Sequence, residues 1–488
     1  MAAIITEKFR QHNAEQFLES FSEAVANKYY LFIGKSSPFT SSTTGGDDNT
    51  PPAPNDDVSS EFYKWDSMLG AKLISSADVS FVVPRRSWAN NTTFDMYEHD
   101  ISASNPTTSG ATNLYEGTFF FSTTENKVYK VLDNNGGTPY SGAEPTTTST
   151  TPFELGGYTL QYMYSLTTSQ IQKFLTTDFT PVTTDSTVSA AAVDGAIDIV
   201  RVTGGSGFTD GTYFSPVDGD GTGGIVQIEV SGGAIVGQGS SGSNMFAGGT
   251  GYTFATVDLT NVFSDNGLQN ASNIGSGTGG SVQPIISPKG GHGSNAVSEL
   301  GGHFVMMNSK LEQNEGQDVT VANDFREVGI LKDPFNFNTT TVSTQSTARM
   351  TTAVIMASAP SNPYEIDEKI TQSTTGAVGR VVEWDATNNI LYFVQERFVD
   401  YGIHANGNAV GFSGGNVITG AISNAAATPL TTAGTVNSIN FNSSATGGRG
   451  YNDPELQPNS GHILYVENRR PISRASDQTE DIKIVVEF

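Results

Sequence analysis

Ala14, Phe17, Leu18, Phe21, Ala24 and Val25 recur at the 3.6-residue spacing of a helix. Asn13 and Gln16 stand at capping-box spacing ahead of them. The pattern predicts one amphipathic helix over residues 13–27, the clearest in the chain. The run YYLFIGK then reads as a strand, and Pro38 with TSSTTGGDDNTPPAPNDD as a long polar connection. A second short helix is expected around Phe62 to Leu69, followed by a strand in VSFVVPRRSW that ends at Pro84. From Thr118 the period shortens to two. GTFFFST and NKVYKVLDNNGGTPY predict two strands and a turn at Asn134–Gly137. In GGYTLQYMYSL, Leu160, Tyr162 and Tyr164 alternate against Gln161, Met163 and Ser165. Ser169 opens a helical turn, SQIQKFL.

Residues 196–300 change texture. Gly204-Gly205-Ser206-Gly207-Phe208-Thr209 recurs as Gly248-Gly249-Thr250-Gly251-Tyr252-Thr253, with a shorter echo at Gly447-Gly448-Arg449-Gly450-Tyr451. GIVQIEVSGGAIVG lies between the first two copies and reads as strand, Gly-Gly turn, strand. Glycines at positive φ with an aromatic packed over them would form a hairpin module. Two copies are too few for a solenoid, so a small appended β domain is expected. Residues 346–445 are again β-like, with a hairpin turning at Asp385 to Asn389. NDFREVGILKDPFNF, between these regions, is denser in apolar residues.

Composition supports this reading. A length of 488 residues exceeds one ordinary core, so two to four domains are expected. The 53 glycines, with abundant Ser, Thr and Asn, disfavour long helices and suit short strands. Aromatic content of 10 % is too high for a disordered chain. The expected class is mainly β and multidomain, with β-sandwich-like domains and a few short helices. The net charge of −25 repels nucleic acid and anionic lipid, so neither is an expected partner. There is no cysteine for a disulfide or thiolate metal site. No run reaches the ~18 apolar residues of a membrane span, and the start has no apolar signal core. A chain that is soluble and not exported by a classical signal is expected.

Candidate chemistry is sparse. Gly219–Gly224 and Gly275–Gly280 both fit G-x-G-x-x-G. IVQIEV and SVQPII follow them, so the helix that cradles a dinucleotide phosphate is missing and a turn is the better reading. Asp210, Asp218 and Asp220 resemble fragments of calcium loops, but a hairpin tip solvated by Asp fits better. His12, His99, His292, His303, His404 and His462 include no i, i+4 metal pair. No catalytic residue, cofactor, metal or small-molecule substrate is expected, and the chain is not expected to be an enzyme. A carbohydrate-active or host-binding tail protein is the alternative, since paired acids are numerous. Only Trp65, Trp88 and Trp384 could serve a sugar platform, and repeated coils are absent.

The basic pairs remain. Arg85-Arg86 follow Val-Val-Pro, and Arg469-Arg470 precede Pro-Ile, each at the end of a β-branched run. In so acidic a chain, guanidinium forks at strand ends suit bidentate carboxylate pairing. They are either ordinary solvated turns or residues that hold a domain or subunit junction. In IKIVVEF, Ile482, Ile484, Val486 and Phe488 alternate on one face, which calls for a covering neighbour.

ILYVENRRPISRASDQTEDIKIVVEF resembles the C-terminal segment of the gene product eight family, the baseplate wedge subunits of T-even-type contractile-tailed phages. The likeness rests on Glu467-Asn468-Arg469, Pro471-Ile472, Asp477-Gln478-Thr479-Glu480, Ile482, Ile484 and Phe488. TEKFR, FIGKSSPF, VVPRRSW (with Pro84, Arg85, Arg86 and Trp88) and FREVGILKDP agree in the same order. Residues 196–300 and 346–445 have no counterpart and look like β insertions of the kind seen in marine and cyanobacterial relatives. The resemblance implies core segments at 1–195, 301–345 and 446–488, with inserted modules at 196–300 and 346–445. It further implies a non-enzymatic virion protein, assembled in the host cytoplasm, that forms a homodimer. Such a subunit braces other baseplate wedge proteins against peripheral ones. Arg85, Arg86, Trp88, Glu467, Arg469 and Phe488 are the expected interface or framework residues. A Gly-rich insertion should carry its own core, so deletion of residues 197–300 should leave the rest folded.

Overall fold

The computed structural model describes residues 5–23, 25, 27–40, 46–237, 242–312, 318–319, 324–397, 408–442, 444–445, 447–471 and 479–488. The fold is mainly β, as the glycine- and threonine-rich composition requires, with short helices between antiparallel sheets. It divides into two compact units. One comprises Met1–Gln16, Ser80–Met306 and Val485–Phe488; the other comprises Phe17–Val79 and Met307–Ile484.

The first helix is Glu7–Glu19, displaced toward the N-terminus from the expected 13–27. Thr6 Oγ1 accepts from Phe9 N–H at 3.3 Å, so the chain is already helical when it reaches Asn13. It stops early because Phe21 leaves the helical path to stack on Tyr29, with ring centroids 4.2 Å apart. Ala24, expected on the apolar face, lies outside the described residues.

In the first unit a four-stranded antiparallel sheet runs Phe120–Ser122, Lys127–Asp133, Tyr158–Ser165, Phe153–Leu155 in spatial order. The Tyr158–Ser165 strand shows the alternation, yet Gln161 and Met163 are as buried as Leu160 and Tyr164. The sheet is covered on both faces, so period-two polarity does not mark a solvent side here. Gln161 tolerates burial because its amide donates to the carbonyls of Thr150 and Tyr162, at 3.2 and 3.0 Å. The helix Thr168–Phe174 is capped by Thr167 rather than Ser169, because Thr167 and Gln170 complete a reciprocal capping box.

The glycine repeats form two matching clasps. Gly205 and Gly207 have φ of +64° and +81°; their counterparts Gly249 and Gly251 have +62° and +77°. Each places the next aromatic, Phe208 or Tyr252, inward. The G-x-G-x-x-G segments are the receptors. A Cβ on Gly277 would lie 2.4 Å from the Phe208 ring, and one on Gly221 would lie 2.4 Å from the Tyr252 ring. Tyr252 Oη accepts from Gly224 N–H at 3.0 Å. Two strand pairs carry the clasps, Ile197–Ser206 with Thr278–Ile286 and Thr222–Ser231 with Asn244–Thr250. The glycines are therefore turn and close-approach residues. Asp220 accepts from the hydroxyl and N–H of Thr253, and Asp210 from Gly233 N–H, so both carboxylates cap hairpin turns. The module's apolar cluster draws on Ile197 to Ile286, whereas Ala296 and Leu300 join the cluster around Phe119, Val128 and Tyr164.

The second unit holds a five-stranded antiparallel sheet, in the order Thr347–Arg349, Met68–Ile74, Tyr29–Gly34, Glu327–Lys332, His462–Asn468. Tyr30, Phe32, Trp65 and Leu331 fill its core. Trp65 comes from the helix Val58–Ser67, whose Asp57 cap accepts from Ser60 N–H at 2.7 Å. A seven-stranded sheet is built from residues 352–452 around Val381, Leu391, Phe393 and Tyr451. It includes the expected hairpin, with Asn389 at φ +56°. The downstream glycine echo uses the same close approach: a Cβ on Gly447 would lie 2.3 Å from the Tyr451 ring.

Gly277→Ala is expected to lower stability by about 1–3 kcal/mol, since the Phe208 ring must move. Gly237→Ala, with nothing within 4 Å of the added methyl, should be near neutral. Denaturant titration of both variants checks this. Replacing residues 204–280 with an Asn-Gly turn between the paired Thr203 and Ser281 should preserve the thermal transition of the remaining unit. Deleting 197–300 should abolish it, because Glu299 and the apolar Ala296 and Leu300 would go too.

Candidate assembly surfaces and buried ionic joints

The Pro84–Trp88 corner lies in the first unit. Arg85 donates from Nη1 to the Thr176 carbonyl at 2.9 Å, and its N–H donates to Asp178 O at 2.7 Å. The Arg86 guanidinium covers the Phe120 ring at 4.4 Å and donates to the Tyr115 carbonyl at 3.2 Å. Burial pushes its pKa down to about 10, against the opposing pull of Asp95. Trp88 meets Tyr140 edge-on at 5.8 Å. Neither arginine makes the expected carboxylate fork: both bind carbonyls, which fixes loops against strands. Phe488 lies in the same unit. Its N–H donates to His303 O at 3.1 Å, and its carbonyl accepts from Arg10 Nε.

Glu467 and Arg469 lie in the second unit, at the end of the edge strand. Glu467 pairs in register with Val328 and accepts from Tyr465 Oη at 3.2 Å. Arg469 lies over Phe325 at 5.6 Å and reaches Glu480 only at 3.9 Å. Ile472, Asp477 and Gln478, which carry part of the family resemblance, lie outside the described residues. The structure therefore brings Arg85, Arg86 and Trp88 together on one corner and Glu467 with Arg469 on another.

The carboxylate forks expected of the basic pairs occur at other residues. Arg326 grips Asp48 through Nε and Nη2, both at 2.8 Å, and donates to the Ser36 carbonyl. Arg201 binds Glu98 at 2.8 Å and Asp100 at 3.2 Å. Arg349 is buried among the carbonyls of Thr351 and Asp453 and the Asn452 side chain. Arg326 stands in the FREVGILKDP island, but no local pattern separates it from a solvated arginine, because Asp48 is 278 positions away.

One ionisable cluster in the first unit is sealed. Lys130 Nζ lies 2.9 Å from Glu299 Oε2 and 2.9 Å from His292 Nδ1, and 3.9 Å above the Tyr97 ring. Glu299 Oε1 accepts from Gly293 N–H at 2.8 Å. The Lys130 side chain is fully buried and that of Glu299 is 3 % exposed, so the cluster offers no opening for a substrate. Burial, reinforced by the Lys130 charge, drives the His292 pKa well down. The imidazole is thus neutral and accepts from Lys130. Among the described residues, no cluster of three or more His, Asp or Glu side chains could hold a metal ion. No helix among them is long and apolar enough to cross a membrane.

One open feature has the character of a docking surface. A groove of about 460 Å³ runs between the helix Val58–Ser67 and residues 463–466 of the edge strand. Leu464 and Tyr465 are 51 % and 41 % exposed there, opposite Val58 at 74 %.

Lys130→Met is expected to cost about 3–5 kcal/mol, because it leaves Glu299 buried and unpaired, and adding Glu299→Leu should recover much of that loss. The His292 shift carries a pH signature. Its folded pKa lies below the unfolded value, so the unfolded state binds the proton first and stability falls as pH drops through about 6.5. The Tm advantage of wild type over His292→Gln should therefore shrink between pH 7.5 and 5.5. A constant gap would show that His292 does not titrate this way.

The chain matches the family model Phage-Gp8, described as Bacteriophage T4, Gp8, over residues 3–140 and 382–488, half its length. Both corners, the groove walls and Phe488 fall inside the matched residues; the two glycine clasps fall outside them. No curated protein matches the chain.

Proposed function

We infer, for a chain that belongs to the Phage-Gp8 family and is a structural protein of the phage baseplate wedge, that it acts as a dimeric brace between wedge subunits and peripheral baseplate proteins. The family match carries this reading, since it takes in both strand-end corners and the edge strand. The physical character of the matched parts supports it. Carbonyl-bound arginines and a two-sided sheet make rigid supports, and affinity between such bodies comes from buried area with a few anchors. Assembly takes place in the host cytoplasm, and the residence is the virion's tail baseplate. Function is geometric, with no chemical step.

The alternative of a polysaccharide enzyme gains no support from the fold. The main strand pairs run antiparallel, not as stacked parallel coils. The buried Lys130–Glu299 pair is closed to a substrate.

Light scattering of the purified chain at micromolar concentration is expected to give twice the chain mass. A strict monomer would contradict the dimeric brace. Incubation with host-surface polysaccharide should release no reducing ends, and release would overturn the structural reading.

A further inference from the structure

The geometry points to the outer edge of the strand His462–Asn468 as the seat of an extended segment from a different baseplate protein, apolar at alternate positions and flanked by Lys or Arg. This rests on the wedge reading above. The strand is last in its sheet, so among the described residues its outer edge has no strand partner. Edges that must stay unpaired usually carry lysine, proline or an inward charge. This one carries Leu464 and Tyr465, both exposed. The register slips between Ile330 and Leu331, which skips Leu464 and turns two consecutive apolar residues outward.

The groove beside the edge supplies the side-chain pocket that strand addition needs. Val58, on its helix wall, is 74 % exposed. Such apolar surface on an assembly protein marks a contact. Charge selects the occupant. Asp56, Asp57 and Glu61 line the groove and Glu467 follows on the strand. Among the described residues Lys64 is the only cation lining it, and its ammonium is taken by Glu327. A basic-flanked segment is complementary, and nucleic acid is repelled.

The same charges argue against a second copy. Two-fold pairing of this edge with itself would bring two sets of these acids together, and like charges across strands are destabilising. Both walls of the groove lie in residues matched by the family model, so the surface belongs to the part shared with the Phage-Gp8 family.

The test places a photoreactive benzoylphenylalanine at Tyr465 of the full chain, mixed with the other wedge proteins of the same phage. Irradiation is expected to yield one cross-link, to a Lys- or Arg-flanked extended segment of a different wedge protein. Leu464→Lys combined with Tyr465→Lys should weaken that association by about tenfold or more, with an unchanged Tm. Raising the salt should weaken the wild-type association, as screening of an acidic rim requires. Cross-linking only to a second copy would overturn the inference. So would unimpaired wedge entry by the double-lysine variant. Wild-type entry into the wedge with no cross-link overturns the inference alone. Failure of the wild type to join any wedge protein overturns the brace reading, and this inference with it.

Discussion

The grip of Arg326 on Asp48 is the joint on which the five-stranded sheet depends. Its two parallel hydrogen bonds fix a distant acidic loop to the start of the Glu327–Lys332 strand. The Arg326 carbonyl accepts from Arg469 N–H at 2.8 Å, and its own N–H donates to Gly34 O at 3.0 Å. One residue thus ties the ends of three neighbouring strands, and the last of them is the exposed edge. Fifty acids against 25 cations supply such joints readily. An inward cation finds a carboxylate or carbonyl, while buried acids such as Asp95 and Glu368 are held by backbone N–H and hydroxyl donors. The arrangement in the first unit is similar, with Lys130 and Glu299 sealed beneath aromatic rings. Breaking such a pair costs more than its presence contributes, because the survivor is left charged in a low-dielectric site.

Glycine does the equivalent work where charge is absent. The paired clasps let Phe208 and Tyr252 lie directly on backbone, which any side chain at Gly277 or Gly221 would prevent. A small core is thereby closed with few large residues. Such a module can sit within a longer chain because it brings its own apolar cluster. The glycine clasps fall outside the residues that match the family.

Much of the fold was legible in the sequence for identifiable reasons. The strands ending at Pro84, the hairpin at Asp385–Asn389 and the Gly-Gly turns are set by local chemistry, namely proline, Asn at positive φ, and glycine. The family was legible through islands such as VVPRRSW and ILYVENRRPI, whose order survived between divergent stretches. The failures were non-local. The first helix moved because Phe21 serves Tyr29 rather than its own helix. Arg85 and Arg86 suited either carboxylate forks or solvated turns but took carbonyls, because the loop that reaches them is not visible in their spacing. Arg326, Arg201 and Lys130 went unmarked for the same reason, since their partners lie roughly one hundred to three hundred residues away. The exposed edge at Leu464 was read only as a strand, since sheet order is not written in period-two alternation.

The central claim is that this chain is built into the baseplate wedge as a rigid support. A density map of the assembled tail tip, with this chain traced in it, tests that most directly. The account predicts both units within the wedge, in the fold described, with the His462–Asn468 edge covered by another protein. Absence of the chain from the wedge, or its presence only in a fibre or spike, would contradict it.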